Sequence, residues 1–112
     1  MDDPIKEIVI RRVRLKDEHR PFEIHIGQLV EVDWLAVTHA TSNQRDSFNL
    51  VFFRFDGFVI DWVQYDTLAI ALDQAHAIAG VEASEWEQCN AEITNEDGRV
   101  SWEEVCQKRV NQ

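Results

Sequence analysis

SFNLVFFRFDGFVIDWVQYDTLAIALDQAHAIAG, residues 47–80, decides the fold. Two runs rich in β-branched and aromatic residues flank Asp56-Gly57. A DG pair in that setting predicts a two-residue type I′ turn, whose twist suits the flanking strands. That turn sets Phe55 opposite Phe58, Phe53 opposite Ile60 and Val51 opposite Trp62. These six side chains share one face and all are apolar, so this face is expected to be core. The other face carries Leu50, Phe52, Arg54, Val59, Asp61 and Val63. It is mixed, and is expected to be partly covered or used in binding. Downstream, Leu68, Ala71, Leu72, Ala75, Ile78 and Ala79 recur at helical spacing. Asp66 is the expected N-cap, because its carboxylate can accept a helix N–H. Gly80 is the expected left-handed stop.

The rest of the chain extends this frame. Residues 7–15 predict a strand with a bulge, and 22–26 a second, with Gly27 permitting a turn. Val30, Val32, Trp34 and Ala36 alternate with Glu31 and Asp33, which predicts a third strand with its acids facing water. THATSNQRD, 38–46, reads as a polar loop. Glu82 to Trp86 suggests a short turn. Residues 87–93 alternate again, with Cys89, Ala91 and Ile93 inward. NEDG predicts a turn. Ser101-x-x-Glu104 has capping-box form, which predicts a short C-terminal helix over 102–110; a strand over 99–105 is the competing reading. The expected fold is therefore α+β: a mainly antiparallel sheet of about four to six strands with one principal helix on one face. The 112 residues fit one domain, 1–112, with fraying ends.

Composition narrows the function. The net charge is −10 and it is unevenly spread: residues 1–20 hold six bases, whereas 55–98 hold ten acids and no lysine or arginine. Nucleic acid and anionic membrane surfaces both call for bases, so neither is an expected partner. No apolar run approaches the roughly 20 residues that span a bilayer, and the start lacks the pattern of a signal peptide, which points to the cytosol. Two cysteines, Cys89 and Cys106, are too few for a disulfide framework and suit reduced thiols.

No phosphate loop, nucleophile elbow, HExxH or EF-hand pattern is present. No cofactor and no metal are expected. Asp73 and His76 can share a helix face, but two ligands fall short of a zinc site. Trp34 and Trp62 fall on core faces by alternation. The base-free segment has a plain reading, an acidic surface that keeps the domain soluble. It has a sharper one, a recognition surface for a basic protein built from Asp61, Asp66, Asp73, Glu82, Glu85, Trp86 and Glu87.

The strand–DG–strand hairpin, Asp66-Thr67-Leu68, Ala71-Leu72, Ala75, Gly80-Val81 and Ser84-Glu85-Trp86 together resemble small bacterial α+β immunity proteins of toxin–immunity systems, including contact-dependent inhibition. The likeness spans residues 50–86. It implies a non-enzymatic protein that blocks a cognate toxin domain. Two alternatives compete with it. One is a small enzyme or ligand-binding domain with a pocket between sheet and helix, using Glu23, His25, Asp73 and His76. The other is a homodimeric module that hides the Leu50/Phe52/Val59/Val63 face; monomer and dimer are both open on sequence alone.

Overall fold

A computed structural model describes residues 6–16, 22–25, 27–42, 45–55 and 58–94. Strands β1 (Lys6–Arg14), β2 (Phe22–His25), β3 (Gln28–Glu31), β4 (Trp34–Ser42), β5 (Arg45–Phe53) and β6 (Val59–Tyr65) come first. Helix α1 (Leu68–Ala79), a 3-10 turn (Ala83–Glu85) and β7 (Glu87–Thr94) follow. Five strands form one sheet in the order β6-β5-β4-β1-β7, every neighbouring pair antiparallel. β2 and β3 form a separate hairpin around position 27, where Gly27 takes a φ of 75°. β2 comes close to β6 without joining its ladder. The α+β architecture expected from the sequence is the one observed. The NEDG turn, the 99–110 segment with Trp102 and Cys106, and the Asp56-Gly57 pair lie outside the described residues.

The helix reaches across the sheet. Twelve residues at 1.5 Å each make it about 18 Å long, close to the roughly 19 Å between the outer strands of a five-stranded sheet. It leaves the β6 edge and delivers the chain to β7 at the other edge. Ala71, Ala75 and Ala79 are its buried face, and their short side chains let it lie close to Leu35, Val37, Leu50, Phe52 and Ile60. Thr67, not Asp66, caps it: the Thr67 hydroxyl accepts the Ile70 N–H at 3.1 Å. Thr67 has the extended backbone an N-cap needs, one residue later than expected. Gly80 ends the helix as expected, with a φ of 69° and its N–H on the His76 carbonyl.

Several expectations about the sheet are corrected. Residues 38–46 are not a polar loop: β4 continues to Ser42 and β5 starts at Arg45, with Thr41 facing Asp46 and Ser42 facing Arg45. Polar residues there mislead because this end of the hairpin is exposed, so strand pairing needs no apolar side chains. The predicted strand over 30–36 is split at Val32-Asp33 between β3 and β4. Asp33 does not face water. It is buried, and its Oδ2 accepts the Phe55 N–H at 3.0 Å. Its backbone also takes the Leu15 N–H (2.9 Å) and donates to the Phe53 carbonyl (3.1 Å). The predicted bulge in β1 is present, with Ile10 as the extra residue between Val9 and Arg11.

The core face is also corrected. β5 is buried on both sides: Leu50 and Phe52 face the helix, while Val51 and Phe53 pack with Val9, Ala36 and Cys89 on the opposite face. Val51 does pair with Trp62, but Phe53 pairs with Val59 rather than Ile60, and the Arg54 N–H bonds to the Phe58 carbonyl. The register therefore slips by one within β6, and Ile60 turns to the helix side beside Phe52. Phe55, Phe58 and Trp62, expected in the core, are exposed. The Leu50/Phe52 face lies under the helix and is not available to a second copy of the chain.

These placements set a stability contrast. Phe52→Ala should lower the unfolding free energy by about 3–5 kcal/mol. Trp62→Ala should stay within about 0.5 kcal/mol, as exposed substitutions do. Urea unfolding of the two variants measures both.

Candidate functional site: an open strand edge with exposed aromatics

The seven residues expected to bind a basic partner are divided by the topology. Asp61 sits on β6 and Asp66 just after it, at one edge of the sheet. Glu82, Glu85, Trp86 and Glu87 cluster at the end of the helix crossing and the start of β7, at the opposite edge. Asp73 is exposed on the helix between them.

The β7 group is largely engaged inside the molecule. Glu87 meets the buried Arg12 guanidinium through two hydrogen bonds, Nε to Oε1 at 2.9 Å and Nη2 to Oε2 at 3.1 Å. Arg12 also lies over the Trp34 ring, 5.7 Å from its centre. Lys16 approaches Glu85 at 3.5 Å. The second Glu85 oxygen accepts the Glu82 N–H at 2.7 Å, which ties down the 3-10 turn. The Glu82 carboxylate stands 3.3 Å from His76 Nε2. Trp86 packs half-buried against the helix-side core. Arg12 of β1 and Lys16 just after it thus offset acids that the sequence places some seventy residues away.

The β6 edge is different. Among the described residues β6 is an outermost strand and pairs only with β5. Asp61, Trp62, Val63 and Gln64 are exposed in succession, so both faces of the strand are open. Trp62 is 56% exposed, and the hairpin end beside it presents Phe55 at 61% and Phe58 at 46%. Three large aromatics in solvent within eight residues depart from the burial expected of such side chains. Arg54 lies over the Phe55 ring at 5.6 Å. The Asp61 carboxylate accepts the Trp62 N–H at 2.8 Å. Asp66 and Asp73 are exposed nearby in sequence. Sequence reasoning missed Phe55, Phe58 and Trp62 as surface residues. The missed signal was the unbroken apolar run 50–53, which marks β5 as the two-sided strand and leaves β6 as its outer neighbour.

The remaining candidates for chemistry are dispersed. Asp73 and His76 lie on the exposed side of α1 and not against the sheet. Glu23 and His25 belong to β2, of which only the backbone is described. A shallow cleft of about 10 Å³, room for about one water, opens between the end of β1 and the end of α1, lined by Val13, Leu15, Lys16, Ala79, Gly80 and Glu85. It is smaller than the roughly 300–1,000 Å³ of small-molecule sites. Among the described residues no group of three or more metal-ligating side chains comes together, and no helix is long and apolar enough to cross a membrane. His39 lies within β4; its ring stacks on Phe48 and its Nε2 is 3.0 Å from Asp46. Glu7 accepts hydrogen bonds from Thr38 and Asn49, while the Asn49 Oδ1 atom is buried without a partner.

Cys89 is a free, buried thiol. Burial pushes its pKa from the ordinary 9.0 up to about 11, with Arg12 opposing the shift. The folded state holds this proton more tightly than the unfolded chain does. The resulting stability is complete below pH 9.0 and is lost as pH rises through about 11.

No protein-family model, curated protein or solved structure matches this chain. The fold and the exposed edge are therefore the basis for any functional reading.

Urea unfolding of two variants and thiol alkylation of a third check this geometry. Glu87→Gln should cost about 1 kcal/mol, because it strips a buried guanidinium of its counter-charge. Lys16→Ala should cost less than about 0.5 kcal/mol, as exposed pairs do. In a Cys106→Ser variant, Cys89 should resist alkylation by iodoacetamide at pH 8 in the folded protein and react readily in urea. Equal rates in both states would contradict the buried thiol.

Proposed function

We propose that this protein is a non-enzymatic binding module that neutralises a basic protein partner, in the manner of an immunity protein that blocks a bacterial toxin. One observation carries the reading. Phe55, Phe58 and Trp62 stand in solvent at an open strand edge, within a stretch that holds ten acids and no lysine or arginine from 55 to 98. Exposed aromatics supply the anchors of a typical interface hot spot. Asp61, Asp66 and Asp73 supply a field that speeds encounter with a cationic surface and excludes polyanions. Occlusion of the partner's working surface follows from a preformed face of this kind without any chemical step. Glu82, Glu85 and Glu87 recede from the proposed interface, since internal contacts already occupy them.

The test is capture of the products of neighbouring genes by the full chain at low and high salt. The expected result is a basic partner whose capture falls steeply with salt and whose toxicity in cells is relieved by co-expression. Trp62→Ala should weaken that complex by about 2 kcal/mol or more, in line with a hot-spot aromatic. Joint reversal of Asp61, Asp66 and Asp73 to lysine should slow association and flatten its salt dependence. A blank at both salts would return the acidic surface to plain solubility.

A further inference from the structure

We propose that β6 receives an extended, lysine- or arginine-bearing segment of the partner as an added strand, and that Asp61 guards this edge and selects for the basic segment. The inference rests on the binding reading above and specifies its mode. Trp62 faces Val51 across the β5–β6 ladder, yet its N–H goes to the Asp61 carboxylate and not to β5. In an antiparallel strand the N–H and C=O of one residue point to the same side. The backbone groups of Trp62 are therefore directed to the open edge, and those of Gln64 follow two residues on. β2 passes near β6 without pairing to it, and residues 61–64 remain exposed.

Open edges in natural proteins are usually blunted by lysine, proline, bulges or a covering segment. Across 61–65 the ladder with β5 is regular, and β6 contains no proline, lysine or arginine. Its guard is the Asp61 carboxylate on the Trp62 N–H. An incoming strand must take that N–H and so displace the carboxylate. The released charge then needs a counter-charge beside the new strand, which a lysine or arginine provides and a glutamate opposes. The apolar side chains of the same strand would meet Trp62 on one face and Val63 on the other. A second copy of this chain is the wrong occupant. It would bring another Asp61 into the same seam, with no lysine or arginine anywhere in 55–98 to offset the pair.

The test uses the full isotope-labelled chain and two synthetic octapeptides, one alternating valine with lysine and one alternating valine with glutamate. Amide exchange is read by NMR. The lysine peptide at saturation should slow exchange at Trp62 and Gln64 by at least about tenfold, and the glutamate peptide should not. Methylating alternate backbone nitrogens of the lysine peptide should abolish the protection. Asp61→Asn should reduce the preference for lysine over glutamate. Unchanged exchange with the lysine peptide, equal protection by both peptides, or peptide-free protection that grows with protein concentration would each overturn the proposal. The two levels separate cleanly. A captured basic partner that leaves both amides unprotected defeats the added strand alone. Peptide protection with no basic partner defeats the neutralising role alone.

Discussion

Asp33 holds together three stretches of chain that would otherwise be free to shift. Its carboxylate takes the N–H of Phe55, its carbonyl takes that of Leu15, and its own N–H meets the carbonyl of Phe53. One buried residue between two strands thus ties the end of β1 and the end of β5 to the start of β4. The entry into the β5–β6 connection is fixed by the same contact. Once Phe53 and Phe55 are set, Arg54 closes onto Phe58, and the one-residue slip at Ile60 follows. That slip puts Ile60 under the helix. A buried carboxylate needs hydrogen-bond donors such as the Phe55 N–H, and the backbone groups that Asp33 satisfies would themselves be costly to leave unpaired.

The parts of this fold that were readable are those where one local rule acts alone. The α1 spacing, the Gly80 stop and the bulge in β1 follow from periodicity and backbone freedom. The strand-rich order follows from β-branched runs. What could not be read depends on tertiary placement. Leu50, Val51, Phe52 and Phe53 are all apolar, so alternation offers no choice of face, and the sheet buries both. Trp62 has the composition of a core residue, but an outer strand offers it no opposing layer. Asp33 reads as a surface acid because nothing local shows that two other stretches of backbone converge on it. Thr67 displaced Asp66 as the cap by a single residue, which is a geometric and not a compositional difference.

The charge map has the same character. A stretch without lysine or arginine looks in sequence like one continuous negative surface. The sheet order separates its acids between two edges, and the helix that joins them spans the sheet. At the β7 edge, Arg12 of β1 and Lys16 just beyond it come alongside Glu87 and Glu85. Charge segregation along the chain therefore becomes charge pairing in space at one edge and an open field at the other. Among the described residues, the exposed aromatics and acids without an ion pair thus coincide at β6.

The position of β1 sets the order of assembly. It lies between β4 and β7, so the first described strand is also the one against which the last described strand must dock. The β4–β5 and β5–β6 hairpins close short loops and can form while the rest is still extended. β7 has nowhere to pair until β1 is in place, and the β1–β7 ladder joins residues such as Lys6 and Thr94, separated by most of the chain. Long-range closure of this kind is slow compared with hairpin formation. The β4–β5–β6 meander can therefore form early and take up β1 through β4, and of the described strands β7 alone must wait for another to be seated.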